Sequence, residues 1–233
     1  MPVLPTWRRP TRLIQPQDPY FSNVALLLHM NGSNNSTTFT DSSANGLAVT
    51  ANGNARISTA QSKWGGSSGF FDGANSYLSA SGSLFNLPGA FTIEAWVYFA
   101  SIGSSSQVIC SKWASLGNYA WIFQCKSSKL QFATANDGTN PILYEASTLF
   151  SASTWYHVAA VCTGTALSLY VNGSSVGSFT DSNNRTCSTT SFCVGLNQDP
   201  GFPQWLNGYM QDLRITKSVA RTIEVPIAPF PDA

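Results

Sequence analysis

Phe91-Thr-Ile-Glu-Ala-Trp-Val-Tyr-Phe99 is the stretch whose reading decides the fold. Phe91, Ile93, Ala95, Val97 and Phe99 fall on one side of an extended chain; Thr92, Glu94, Trp96 and Tyr98 fall on the other. Both sides are largely apolar, which suits a central strand of a sandwich. Upstream, Val24-Ala-Leu-Leu-Leu-His29 reads as another strand buried on both faces. Downstream, strand-like runs cover residues 107–112, 119–125, 130–134, 155–162, 167–171, 174–179, 191–196 and 208–216. Asn31-Gly32, Asn52-Gly53, Asp72-Gly73 and Asn172-Gly173 punctuate them as turns. Asp72-Gly73 predicts a hairpin between residues 69–71 and 77–79. Thr163-Gly164-Thr165 predicts another between 155–162 and 167–171. No window of about a dozen residues carries a helical stripe.

Composition agrees with an all-β chain. Only 10% of the 233 residues are charged, against about a quarter in an average soluble domain. Helices need charged, straight-chain residues on their wet faces, so a helical bundle is excluded. The net charge of +1 gives no field to recruit nucleic acid. No apolar run is long enough for a membrane span. With 43% of the chain hydrophobic and 12% aromatic, a packed core is expected.

Residues 1–20 differ from the rest. Pro2, Pro5, Pro10, Pro16 and Pro19 forbid a helix or central strand there, and Arg8, Arg9 and Arg12 lie among them. The segment reads as an extended arm. It is either a solvated tail or a docking arm on a neighbouring subunit, with Trp7 as apolar anchor and the arginines as clamps. It has no apolar region or cleavage site of a secretory signal. Residues 21–225 read as one domain, and 226–233 as a proline-rich tail. The five cysteines match no zinc spacing and read as buried free thiols in a reducing compartment, with a Cys187–Cys193 disulfide as the alternative. The glycosylation-type triplets at Asn34, Asn35, Asn172 and Asn184 arise readily by chance in a chain this rich in Asn, Ser and Thr.

Seven segments in order carry a resemblance. They are Leu26-Leu-Leu-His-Met-Asn-Gly32, Phe39-Thr-Asp-Ser-Ser-Ala-Asn-Gly46, Phe70-Phe-Asp-Gly73 with Tyr77-Leu78, Phe91-Thr-Ile-Glu-Ala-Trp-Val97, Trp155-Tyr-His-Val-Ala159, Leu169-Tyr-Val-Asn-Gly173 and Gly208-Tyr-Met-Gln-Asp-Leu-Arg-Ile-Thr216. Together they resemble the laminin-G-like, concanavalin A-like lectin/glucanase superfamily over roughly residues 22–223. The Leu-Leu-His opening with the Asp-Leu-Arg-Ile-Thr-Lys ending is similar to domains of tailed-bacteriophage virion proteins. The resemblance implies a jelly-roll β-sandwich of two curved antiparallel sheets, its first and last strands side by side. It also implies glycan or protein binding and a structural calcium ion.

For calcium, which needs six to eight oxygen ligands, the candidates by position are Asn31, Asp41 and Asp212. The alternative for Asp41 is a turn cap, and for Asp212 satisfaction of nearby backbone. For a glycan, aromatic faces beside amides are needed, and Trp113, Tyr119, Trp121, Tyr144 and Trp205 lie nearest the loops. Trp205, in Pro200-Gly-Phe-Pro-Gln-Trp205, is the preferred platform; the alternative for each ring is core filling.

Catalysis fails on inventory. Glucanases of this kind use paired carboxylates, yet Glu94, Glu145 and Glu224, the only glutamates, have no acidic neighbour two to four residues away. His29 and His157 are the only histidines, and each sits in an apolar run that suits a core residue rather than a catalytic base. The expectation is a non-enzymatic virion structural protein, a capsid or tail decoration attached through its arm to other virion proteins or to copies of itself. It would assemble in the host cytoplasm. The alternative is a host-recognition adhesin that binds cell-surface glycans.

Overall fold

The computed structural model describes residues 17–187 and 191–233. Seventeen strands build it: β1 (Val24–Leu28), β2 (Thr50–Asn52), β3 (Arg56–Ser58), β4 (Ser68–Asp72), β5 (Tyr77–Ala80), β6 (Phe91–Phe99), β7 (Gln107–Trp113), β8 (Tyr119–Lys126), β9 (Lys129–Thr134), β10 (Ile142–Leu149), β11 (Trp155–Cys162), β12 (Ala166–Val171), β13 (Ser174–Thr180), β14 (Phe192–Val194), β15 (Leu196–Asn197), β16 (Gln204–Trp205) and β17 (Asn207–Lys217). Among the described residues there is no α-helix, and none long and apolar enough to cross a membrane.

Two antiparallel sheets face each other as a jelly-roll sandwich. The first runs β13-β12-β11-β6-β17-β4-β3, with β1 also paired to β17. The second runs β10-β9-β8-β7-β14-β5-β2, and β15 and β16 form a separate small ladder. β6 sits between β11 and β17, the central position its two apolar faces require. Phe91, Ile93, Ala95, Val97 and Phe99 point into the core with no exposed surface. On the other face, Trp96 takes Trp64 edge-on at 5.7 Å and the Lys63 ammonium at 3.9 Å.

β1 pairs with β17 from Leu28 opposite Leu213 to Val24 opposite Thr216, so the first and last strands are neighbours as the resemblance implied. β17 holds β4 with its earlier residues and β1 with its later ones. The break between them coincides with a bulge at Gln211–Arg214, where Asp212 takes a φ of 51°. Segment 226–233 continues over the outside of this sheet. Phe230 packs on Val24 and Leu27 and covers the Arg214 guanidinium at 3.8 Å.

The hairpin predicted at 155–171 forms, β11 pairing with β12. The one predicted at Asp72-Gly73 does not. β4 belongs to the first sheet and β5 to the second, so this turn is a corner between sheets. Asp72 Oδ1 accepts the backbone N–H groups of Ala74, Asn75 and Ser76, each at 3.0 Å, and turns the chain through its own side chain. β10 was not anticipated. Cys110, Cys125, Cys162 and Cys193 are buried free thiols, and burial pushes the pKa values of Cys125 and Cys193 up to about 12.

Candidate functional site

The segment between β6 and β7 and the β15–β16 ladder face each other across a cleft of about 490 Å³. Gly208 lets the start of β17 approach β6 beneath it: φ is +152°, and a Cβ would lie 2.0 Å from the Tyr98 carbonyl oxygen. The loop from β15 to β16 is tied by Asp199, whose Oδ1 accepts the Gly201 N–H at 2.9 Å and whose carbonyl accepts the Phe202 N–H at 3.1 Å. This turn holds Phe202 out into solvent, 74% exposed. Trp205, half-buried, follows on the same wall and rests against Tyr77 at 5.9 Å.

Amides and hydroxyls make up the rest of the lining. Gln107 is fixed by its own bonds: Oε1 accepts the Asn207 N–H, and Nε2 donates to the Ser101 carbonyl. Asn207 Nδ2 donates to Ser101 Oγ at 3.1 Å, which leaves its Oδ1 as an acceptor. The Ser106 hydroxyl is buried with no hydrogen-bond partner among the described residues. The hydroxyls open to a ligand are those of Ser101 and Ser105, both exposed. The cleft can therefore stack an apolar face on Phe202 and Trp205 while bonding hydroxyl groups below.

The other aromatics singled out in the sequence lie elsewhere. Trp121 is a correction: it is fully buried, donates its Nε1–H to the Phe85 carbonyl at 2.8 Å and stacks on Phe132. Tyr144 is corrected likewise, being 8% exposed in the core with its hydroxyl accepting from Asn183 Nδ2. Trp113 is buried beneath Tyr119, the rings stacked at 4.3 Å. Tyr119 remains half-exposed and lines a second hollow of about 510 Å³. Its hydroxyl donates to Asp199 Oδ2 at 2.8 Å, and that bond raises the phenol pKa. Trp7, Arg8, Arg9 and Arg12 lie outside the described residues.

Asn31, Asp41 and Asp212 do not form a donor set suited to calcium. Asp41 Oδ1 accepts the N–H groups of Leu27 and Ser43, and its Oδ2 those of the Ser43 hydroxyl and Leu47 N–H. Positive hydrogens point at lone pairs a cation would need. This network pins the 41–47 turn to β1. Asp212 instead meets His29 Nδ1 at 2.6 Å, and Asp232 meets His29 Nε2 at 2.7 Å. Burial works against a charged imidazole, but the two carboxylates outweigh it and raise the His29 pKa. Asn31 is exposed. Among the described residues, no three His, Cys, Asp or Glu side chains gather as a metal group.

The glutamates are engaged singly. Glu94, buried, accepts from Arg214 at 2.8 Å and lies 3.5 Å from His157 Nε2. Glu145 pairs with Lys129 at 2.6 Å, and Glu224 is exposed.

The sequence of residues 72–225 matches the concanavalin A-like lectin/glucanases superfamily, in its Laminin_G_3 family. The chain belongs to that superfamily. No curated protein sequence matches it. Among solved structures, the binding domain of Paraclostridial Mosquitocidal Protein 1 is similar, with a TM-score of 0.68 at 14% identity over 87% of this chain and 51% of that one. A botulinum neurotoxin type C structure, described with its interaction with two ganglioside molecules, has a TM-score of 0.64 at 12% identity over 86% and 49%. The botulinum neurotoxin type G receptor binding domain has a TM-score of 0.64 at 15% identity over 87% and 50%. The chain spans about half the length of these structures, and at such identities the likeness is one of fold. Phe202, the most exposed aromatic of this lectin-like domain's cleft, was missed as a site residue, although Gly201 and Pro203 on either side mark it as a loop tip.

Proposed function

We propose that this lectin-like sandwich is a non-enzymatic binding module that takes a glycan in the cleft between Phe202 and Ser106. The observation that carries the reading is Phe202 itself. An aromatic ring 74% exposed on a tied loop, beside Trp205 and in one cleft with the Ser101 and Ser105 hydroxyls and the Asn207 amide, matches the two faces of a sugar. The toxin receptor-binding domains with this fold, one described with gangliosides, support binding as the role. The ion pairs that hold Glu94 to Arg214 and Glu145 to Lys129 support a non-enzymatic one. The test is a glycan array probed with the full chain and with Phe202→Ala. The reading predicts reproducible signals for the parent chain that the variant loses. A blank array from folded parent chain would refute it.

The setting we propose is the virion of a tailed phage, supported by the resemblance of residues 26–32 and 208–217 to virion domains. The arm bearing Trp7, Arg8, Arg9 and Arg12 would attach the module to other virion proteins or to further copies. Weak sites repeated on one particle would gain avidity. Deleting the arm tests this: particles should lose the protein while the free protein keeps its glycan binding. Incorporation without the arm would exclude that attachment.

A further inference from the structure

The cleft differs in one chemical respect from a site for acidic sugars. Among the described residues that line it, none carries a charge. Its polar groups are the hydroxyls of Ser101, Ser105 and Ser106 and the amides of Gln107, Gln204 and Asn207. The charges nearest along the chain are both negative. Asp72 directly precedes the lining residue Gly73, and Asp199 lies three positions before Phe202. Burial pushes the Asp72 pKa up, but the N–H groups of Asn75 and Ala74 and the amide of Asn54 outweigh it and hold the carboxyl far below its usual range. Asp72 is therefore ionised throughout the neutral range.

We infer that the cleft selects an uncharged saccharide and rejects glycans that end in a carboxylate or sulfate. The inference rests on the binding reading above and narrows it. A sugar carboxylate entering this cleft would shed water without meeting a cation, and desolvating an unpaired charge is costly. Asp72 and Asp199 add repulsion of the same sign. Neutral hydroxyls meet none of these terms. They can donate to Asn207 Oδ1 and exchange bonds with the exposed Ser101 and Ser105 hydroxyls, while ring C–H groups lie on Phe202 and Trp205.

The experiment uses the full chain on printed glycan pairs identical but for a terminal sialic acid, with Phe202→Ala as the control for site. Phe202 is exposed, so this variant keeps its fold. The expected result is binding to neutral members, at least tenfold weaker binding to their sialylated partners, and loss of the neutral signals in the variant. Equal or stronger binding of the sialylated members, lost in Phe202→Ala, would overturn the inference while leaving the binding site in place. Folded parent chain that binds neither member of any pair would overturn the binding reading itself.

Discussion

Replacing Arg185 with alanine removes one of the most deeply buried charges among the described residues. Arg185 is 1% exposed. Its Nη1 donates to the Asn183 carbonyl at 2.9 Å and to the Leu87 carbonyl at 3.3 Å, and its Nη2 pairs with the Asp181 carboxylate. The guanidinium also lies over the Phe91 ring, 5.1 Å from its centre. Alanine would leave Asp181, itself 2% exposed, with only the N–H and amide of Asn183 as donors. Breaking a buried pair from one side costs about 3–5 kcal/mol, and the two stranded carbonyls act in the same direction. A loss of about 4 kcal/mol should lower Tm by roughly 8–16 °C in a chain of this size. Equilibrium urea unfolding, followed by tryptophan fluorescence, measures it. The double variant Asp181→Leu with Arg185→Met should recover most of the loss, since a well-packed apolar pair replaces a charged one at little cost. A single-variant loss below about 1 kcal/mol, or a double variant no better than the single, would refute this reasoning.

Trp121→Ala should cost about 3–5 kcal/mol, because it empties a fully buried site and frees the Phe85 carbonyl; urea midpoints decide this. His29 should make stability depend on pH. Its folded pKa is raised above the ordinary 6.5, so its contribution is complete below that value and is lost as pH rises through the folded value. Urea midpoints should therefore fall across this window, and His29→Gln should flatten the dependence. Adding a chelator should leave Tm within about 1 °C, because a resident ion at a hundred times its dissociation constant would contribute about 2.7 kcal/mol. Thermal melts with and without EDTA check it, and a clear drop would restore calcium to the account.

What the sequence made legible was local pattern. Period two in residues 91–99 identified β6, its apolar outer face identified the central position, and the Thr163-Gly164-Thr165 turn identified the β11–β12 hairpin. What it hid was which sheet a strand joins. The Asp72-Gly73 signal specifies a reversal of the chain, and a reversal serves a corner between sheets as well as a hairpin. β10 was overlooked because its outward positions mix Leu143, Glu145 and Ser147, blurring the alternation around inward Tyr144 and Ala146. Nearness to a loop was a poor guide to exposure. Trp121 shares its side of β8 with Phe123 and Cys125, so strand parity places it in the core, whereas Phe202 sits at a Gly–Pro tip. Asp181 and Asn183 lie only four and two positions before Arg185, but its burial had no sequence signal, because the Leu87 carbonyl and the Phe91 ring come from a distant segment.

The central claim is that one aromatic cleft, and no other aromatic surface, receives the ligand. The chain has seven tryptophans, each with an indole N–H visible by NMR. Titrating labelled protein with a glycan that scores on the array should shift the Trp205 indole signal in proportion to saturation and leave those of the buried Trp121 and Trp96 in place. A titration that moves the Trp113 signal while Trp205 stays fixed would place binding at the Tyr119 hollow and contradict the account.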